Sequence, residues 1–236
     1  MLTRIDELKA FLDSMEMVDL TFTLESGMPT WPTHPRFYHD VVESYALGDA
    51  SCHYQLVLGE HCGTHIDAPA HFIAAGPRHL GIDRVPLTSF YGRAVKVEAV
   101  DKGENGLLTR ENFEQWEQGH GKIGAGDIVL LHFGWDRYWA KKPDYAKFMN
   151  NWPGLAKDAA QYLVEKKVKA VGTDAMALDV FTSTDFPAHN ILLGSGILII
   201  ENLNNLSLLP DFSLLQVFPL KIKDGSGSPI RAIAYK

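Results

Sequence analysis

Three histidines and an aspartate fall within one short stretch of this chain: His61, His65, Asp67 and His71, in Glu60-His-Cys-Gly-Thr-His-Ile-Asp-Ala-Pro-Ala-His71. Neutral imidazoles and a carboxylate are the usual nitrogen and oxygen ligands of zinc or manganese. Gly63, the β-branched Thr64 and Ile66, and Pro69 all disfavour a helix here. In an extended chain alternate side chains share a face. Positions 61, 65, 67 and 71 have one parity, so the spacing predicts four metal-competent groups on one side, with Cys62, Thr64 and Ile66 on the other. Taken singly, a histidine is a core or surface residue and Asp-Ala-Pro a turn. The cluster as a whole reads as a metal or catalytic site.

A second signal lies late in the chain, in Phe186-Pro-Ala-His189-Asn-Ile-Leu-Leu-Gly-Ser-Gly-Ile-Leu-Ile-Ile-Glu201. Glu201 ends an apolar run, and a buried carboxylate is costly unless paired or bound to a cation. The bland alternative places Glu201 in water past a strand end and His189 as a helix cap. Two other motifs fail on context. Gly119-His-Gly-Lys-Ile-Gly124 fits G-x-G-x-x-G but precedes an apolar strand pattern where a dinucleotide loop follows one, so it reads as a turn. Gly194-Ser195-Gly196 lacks the spacing of a nucleophile elbow. Cys62 is a candidate nucleophile only in an activating environment.

The elements that must position these groups follow from periodicity. Residues 4–15 read as an amphipathic helix with Ile5, Leu8, Phe11 and Leu12 on its inward stripe. Residues 18–24 alternate as a strand, and a proline-rich loop carrying Trp31 follows. Trp31 is either a substrate wall or a packing plug. Residues 54–58 form a strand feeding the histidine cluster, and residues 93–100 another. Thr109 caps a helix to about residue 118. The continuous apolar run 127–133 is a buried strand. Residues 154–167 are helical, with Leu155, Ala159, Tyr162 and Leu163 inward. Residues 168–173 and 196–203 are strands, and 230–235 is a last edge strand. Helices and strands interleave without a clean βαβ repeat, so the expected fold is α/β: one domain over residues 1–236, with a mixed sheet flanked by helices.

Composition bounds the function classes. The chain has 236 residues, 46% of them apolar, enough for a large core. A net charge of −7 without a basic block argues against nucleic acid or anionic membranes as partners. The charged start carries no apolar signal core, no apolar run is as long as a membrane span, and Cys52 and Cys62 make no disulfide framework. These features predict a cytoplasmic protein with reduced thiols.

The residues already named resemble the metal-dependent cyclase superfamily that contains bacterial kynurenine formamidases and isatin hydrolases. His61 to His71 matches every fixed position of the family's H-x-G-T-H-x-D-x-P-x-H fingerprint. His189, in a Pro-x-His-x-x-Leu-Leu stretch, precedes Glu201 by the family's twelve residues. Trp31 occupies the aromatic position of a Met-Pro-x-Trp-Pro loop, and Phe133-Gly-Trp-Asp136 stands where the family has Thr-Gly-Trp-Asp. The resemblance covers about residues 18 to 235. It implies a fold related to swivelling β/β/α domains, usually in dimers or higher assemblies. It implies one metal held by His61, His65 and Asp67, and a second by Asp67, His189 and Glu201. It makes His71 the general acid/base and Trp31 a substrate contact. One or two ions, zinc or manganese, are both compatible. The implied activity is hydrolysis by activated water of a small molecule: an aryl formamide such as N-formylkynurenine, a cyclic amide or a lactone. The alternatives are a non-catalytic metal-binding protein and a metal-independent hydrolase using Cys62.

Overall fold

Three short runs buried on both faces, with a longer alternating strand over 91–98 beside them, make the parallel centre of the molecule. The computed structural model describes residues 3–236. Its strands are β1 (Met17–Asp19), β2 (Tyr38–Glu43), β3 (His53–Val57), β4 (His65–Asp67), β5 (Tyr91–Glu98), β6 (Leu107–Leu108), β7 (Ile128–His132), β8 (Gly154–Leu155), β9 (Ala170–Thr173), β10 (Leu198–Glu201), β11 (Phe212–Gln216), β12 (Gly227–Pro229) and β13 (Ile233–Tyr235). Its helices are α1 (Arg4–Asp13), α2 (Arg110–Gly119), α3 (Lys157–Lys166) and α4 (Pro187–Gly194). Nine strands form one mixed sheet in the order β1-β13-β11-β5-β7-β9-β10-β4-β12. The pairs β5–β7, β7–β9 and β9–β10 are parallel, and the flanks are antiparallel. The separate pairs β2–β3 and β6–β8 complete the strands.

The period of two along each central strand divides the core. Val95, Val97, Val129, Leu131, Val171 and Ile199 face a layer built from α2, α3 and α4. Ala94, Ile128, Leu130, Ala170, Leu198 and Ile200 face the opposite layer, closed by Leu20, Ile66, Leu203, Leu206 and Leu215. The chain beyond β1 crosses to the far end of the sheet. There Thr21 bridges Leu203, and the Phe22 N–H donates to Thr64 Oγ1 at 3.0 Å. The sheet is therefore curled, and its far end is where the polar groups collect.

Most predicted elements stand where the pattern put them, with four differences. The inward stripe of α1 is exposed: the helix buries no residue. The strand predicted over 18–24 is confined to β1 and the Thr21 bridge. Residues 154–155 pair as β8 with β6, so α3 begins at Lys157; Leu155 is buried from that strand and Ala159, Tyr162 and Leu163 from the helix. The last strand is internal, because β13 lies between β1 and β11. The strands β2, β6, β11 and β12 are not anticipated by the pattern; β6 and β12 are two and three residues long, too short for a period to register. The Gly119–Gly124 stretch is a helix end and turn leading into β7, with no helix after it. No helix among the described residues is long and apolar enough to cross a membrane.

Candidate metal centre and active site

Only the middle of the histidine cluster is a strand. β4 supplies His65 and Asp67 from one face, and sits between β10 and β12. His61 lies in the coil before it and His71 in the single turn Pro69–His71 after it. The extended chain predicted across 61–71 is broken at Gly63, which has φ +61°, a conformation open to glycine. The grouping of side chains survives because the turns, and not strand parity, bring His61 and His71 back over β4. Their rings stack at 3.8 Å between centroids. Strand β12 lies directly on His61: a Cβ at Gly227 would come within 2.7 Å of its ring.

β10 is antiparallel to β4 with Glu201 opposite His65, so register alone carries Glu201 into the cluster. α4 opens at Pro187, which suits a first helical position, and brings in His189 from its first turn. Asp67, Glu201, His65 and His189 are all buried. His65 Nε2 is 3.4 Å from Asp67 Oδ1 and 3.5 Å from Glu201 Oε2. His189 Nε2 is 3.1 Å from Glu201 Oε1 and 3.6 Å from Asp67 Oδ2. The six residues predicted from the sequence are thus in one place, including a pair more than a hundred residues from the first motif. Trp31 stands at its rim.

The tautomers are set by groups that can only accept. His65 Nδ1 donates to the Gly63 carbonyl at 2.8 Å, and His189 Nδ1 donates to Asp179 Oδ2 at 2.6 Å. Both Nε2 atoms therefore present lone pairs toward two carboxylates. Asp67 Oδ2 is buried without a hydrogen-bond partner. Lone pairs that converge without a donor need protons or a cation between them. Without an ion, protons are drawn in. Burial disfavours charged imidazoles, but the carboxylates outweigh it and raise the His65 and His189 pKa values. Burial opposes ionisation of the carboxylates too. The His61 charge and the His189 hydrogen bond nevertheless hold Asp67 well below its usual range, and His189 and His65 hold Glu201 at about 2. Metal ligands must be deprotonated, so a divalent ion would replace these protons. The donor set fits such an ion. His61, Asp67 and His71 offer one set of ligand atoms close enough to share it, and His65, Asp67 and Glu201 another.

Several functional groups have no signal in the sequence. Asp179 accepts from the backbone N–H groups of Ala188 and His189 as well as from the His189 ring, so it fixes both α4 and the imidazole. Ser226 Oγ donates to Glu60 Oε2 at 2.6 Å and contacts His61 Nε2 at 2.8 Å, while His61 Nδ1 faces Asp67 Oδ1 at 2.7 Å. Partners of this kind orient ligating histidines in metal sites. Ser226 is 165 residues from His61, so no local pattern could link them.

His61, His65, His189 and Glu201 line the floor of a cavity of about 150 Å³, over the buried Asp67. Its walls are Trp31, Phe72, Met176 and Phe186, with His34 and His71 beside the floor. Phe186 holds φ +47°, an uncommon conformation for a bulky residue, at the turn that starts α4. A second cavity of about 320 Å³ shares Trp31 and His34 and continues past Arg36 and Lys142. Burial lowers the His71 pKa to about 4, so its ring is neutral at pH 7. Cys62 points away from the cavity into a small core with Met28 and Phe37, and burial pushes its thiol up to about 11. A thiol held protonated outside the cavity removes the cysteine-nucleophile alternative.

A family model described as a putative cyclase matches residues 18–180. Isatin hydrolase from Roseibium aggregatum is 33% identical over 96% of this chain and 94% of its own. A kynurenine formamidase from Bacillus thuringiensis subsp. konkukian is 28% identical over 94% of this chain and 98% of its own. Among solved structures, isatin hydrolase A from Labrenzia aggregata superposes with a TM-score of 0.90 at 29% identity, covering 99% of both chains.

Proposed function

The chain belongs to the cyclase family of hydrolases, and we propose that it is a metal-dependent amidohydrolase opening a C–N bond in a small aromatic substrate, an aryl formamide or a fused lactam. One observation carries this reading: the lone pairs of His65 and His189 and a partnerless oxygen of Asp67 converge, with Glu201, on the floor of an aromatic-walled cavity. His61, His65 and Asp67 would hold one ion, and Asp67, His189 and Glu201 a second; zinc and manganese both suit nitrogen and oxygen donors. When bound, a divalent ion supplies hydroxide-like water near neutral pH and polarises a carbonyl oxygen.

The remaining work falls to the chain. Trp31, Phe72 and Phe186 clasp an aromatic ring and exclude water from the reacting carbonyl. His71 is neutral at pH 7, so it can take the proton that water loses as the C–O bond forms. Its conjugate acid, with a pKa of about 4, gives the proton readily to nitrogen as the C–N bond breaks. Asp179 and the Gly63 carbonyl keep the two Nε2 atoms aimed inward throughout. A compact bicyclic lactam suits the first cavity alone; a formamide with a longer side chain would extend past Trp31 and His34 into the second. The cavity opens to solvent, which favours catalysis over a closed structural metal site. We place the enzyme in the cytoplasm as a homo-oligomer acting on small molecules.

Chelation followed by add-back is the test. Hydrolysis of aryl formamides, isatin-type lactams or lactones should vanish on metal removal and return with zinc or manganese. Full activity in metal-free protein, or a metal-loaded protein inert toward all three classes, would overturn the reading.

A further inference from the structure

The active-site cavity has a neighbour that the hydrolytic chemistry leaves unused. The second cavity, of about 320 Å³, shares Trp31 and His34 with the first and has the volume of a small-molecule pocket. Two cations line it, Arg36 and Lys142, and no aspartate or glutamate does. The fold holds them there. The His34 N–H donates to the Trp31 carbonyl at 2.9 Å, and the chain then leads into β2 at Tyr38. Pro35, before Arg36, packs on Gly59, where an added Cβ would come within 3.1 Å of its ring. Phe37, after Arg36, is buried with Met28 and Cys62. The Lys142 N–H donates to the Gly27 carbonyl at 2.9 Å. Both backbones are therefore tied down, while Arg36 and Lys142 themselves stay exposed. Nothing in the chain spends their charge. Lys141 pairs with Glu25 at 3.0 Å, and Arg93 and Arg231 each fork onto an aspartate. Among the described residues no carboxylate stands within ion-pair distance of Arg36 or Lys142.

We propose that the second cavity is an oxyanion subsite in which Arg36 and Lys142 hold a carboxylate at the far end of the substrate, so that the enzyme prefers aromatic amides with an acidic tail over neutral ones of the same shape. This rests on the amidohydrolase reading of the first cavity. Two like charges brought to one cavity repel each other, and an anion between them turns that repulsion into attraction. Arginine can fork onto a carboxylate through two N–H groups, and lysine adds a point charge. Thr30 and Tyr145 contribute hydroxyls to the same lining. The whole chain carries a net charge of −7, which disfavours the approach of an anion; two unpaired cations in this cavity offset that locally. Because Trp31 and His34 belong to both cavities, a tail held in the second fixes where the aromatic ring lies in the first. A compact lactam without a tail leaves the subsite empty and gains nothing from it.

Binding decides it without any need for turnover. The probes are anilines carrying a carboxyalkyl chain of about two to five carbons, each with its carboxamide twin, titrated by calorimetry into metal-free and zinc-loaded protein. At the chain length that spans the two cavities, the carboxylate should bind ~10-fold tighter than the carboxamide, as charge-assisted hydrogen bonds at a partly exposed site allow. That ratio should shrink with salt and fall to about one in the double variant Arg36→Gln/Lys142→Gln. Reading a ratio within each protein removes any general loss of folded material. In zinc-loaded enzyme the N-formyl derivatives of the same anilines should show the preference in kcat/KM, carried by KM. A ratio near one at every chain length would overturn the proposal. So would a preference that survives the double variant, or one seen only with zinc, since the carboxylate would then sit on the metal. Hydrolysis of neutral formamides without a carboxylate preference would sink the subsite and leave the hydrolase reading standing. A carboxylate preference that depends on Arg36 and Lys142, in a protein that cleaves none of the formamides, would do the reverse.

Discussion

Two groups of histidine and carboxylate stand at strand ends of the same sheet, and they use the same residue types differently. One is the His65–Asp67–Glu201 group with His61, His71 and His189 around it; the other is His132, Asp136 and Asp174, beyond β7 and β9. In the second group every carboxylate oxygen is taken. Asp174 accepts the Phe133 and Trp135 N–H groups at 3.1 Å each, and Asp136 accepts from Arg137 and Asn205. Glu98 Oε1 lies 2.6 Å from His132 Nδ1, though not aligned as a hydrogen bond, and Glu98 is open to water. That group shapes the Phe133–Asp136 turn. In the first group, backbone and side-chain acceptors occupy the outer nitrogens of His61, His65 and His189 and leave the inner ones converging on carboxylates. Residue type and proximity are common to both; only unspent lone pairs mark a place for a cation.

The comparison breaks first on metal content. Asp67→Asn should abolish bound divalent metal and lower kcat by more than the ~10²–10⁴ of a proton-transfer residue. Asp136→Asn should leave both near normal. Elemental analysis and turnover on one amide substrate decide it; metal lost from Asp136→Asn and kept in Asp67→Asn would reverse the two roles. A smaller effect separates ligand from proton carrier inside the first group. His71→Ala should keep its metal while kcat falls by ~10²–10⁴. Metal and activity lost together would make His71 a ligand, in line with its place near His61 and Asp67.

The smallest effect concerns the second group and pH. Burial, and then the Asp136 charge, push the Asp174 carboxyl up from 3.8 to about 8. The folded state then holds a proton that the unfolded chain has already released between those values. Its contribution to stability is full below about 3.8 and is lost as pH rises toward about 8. Asp174→Asn cannot titrate, so wild-type Tm should fall relative to the variant between pH 5 and 8, by on the order of 10 °C at ~1.4 kcal/mol per pH unit and ~2–4 °C per kcal/mol. Parallel Tm curves would show that Asp174 is ionised throughout, held by its two backbone donors.

Much of the site was legible because its first half is local. The four residues of the 61–71 motif are neighbours in sequence, and their chemistry needs no fold to be recognised. Strand parity groups only His65 and Asp67; the turn at Gly63 and the turn at Pro69–His71 deliver the others. Glu201 was readable from a carboxylate at the end of an apolar run, since burial of that charge demands a partner. In the fold, strands with continuous apolar runs and the capped helix at Thr109 were readable for the same local reasons.

The rest belonged to the tertiary structure alone. The Ile5–Leu8–Phe11 stripe has the period of an inward face yet is exposed, because periodicity reports that a face is apolar, not what covers it. Asp179, Glu60 and Ser226 act on histidines through contacts that carry no sequence period. The donor set and the chemistry it can support are written in the residues themselves, because ligand type is a property of each side chain. Which nitrogen of His65 and His189 stays free, and which Asp67 oxygen stays unpaired, is set by the fold. Those depend on hydrogen-bond partners brought together across the sheet.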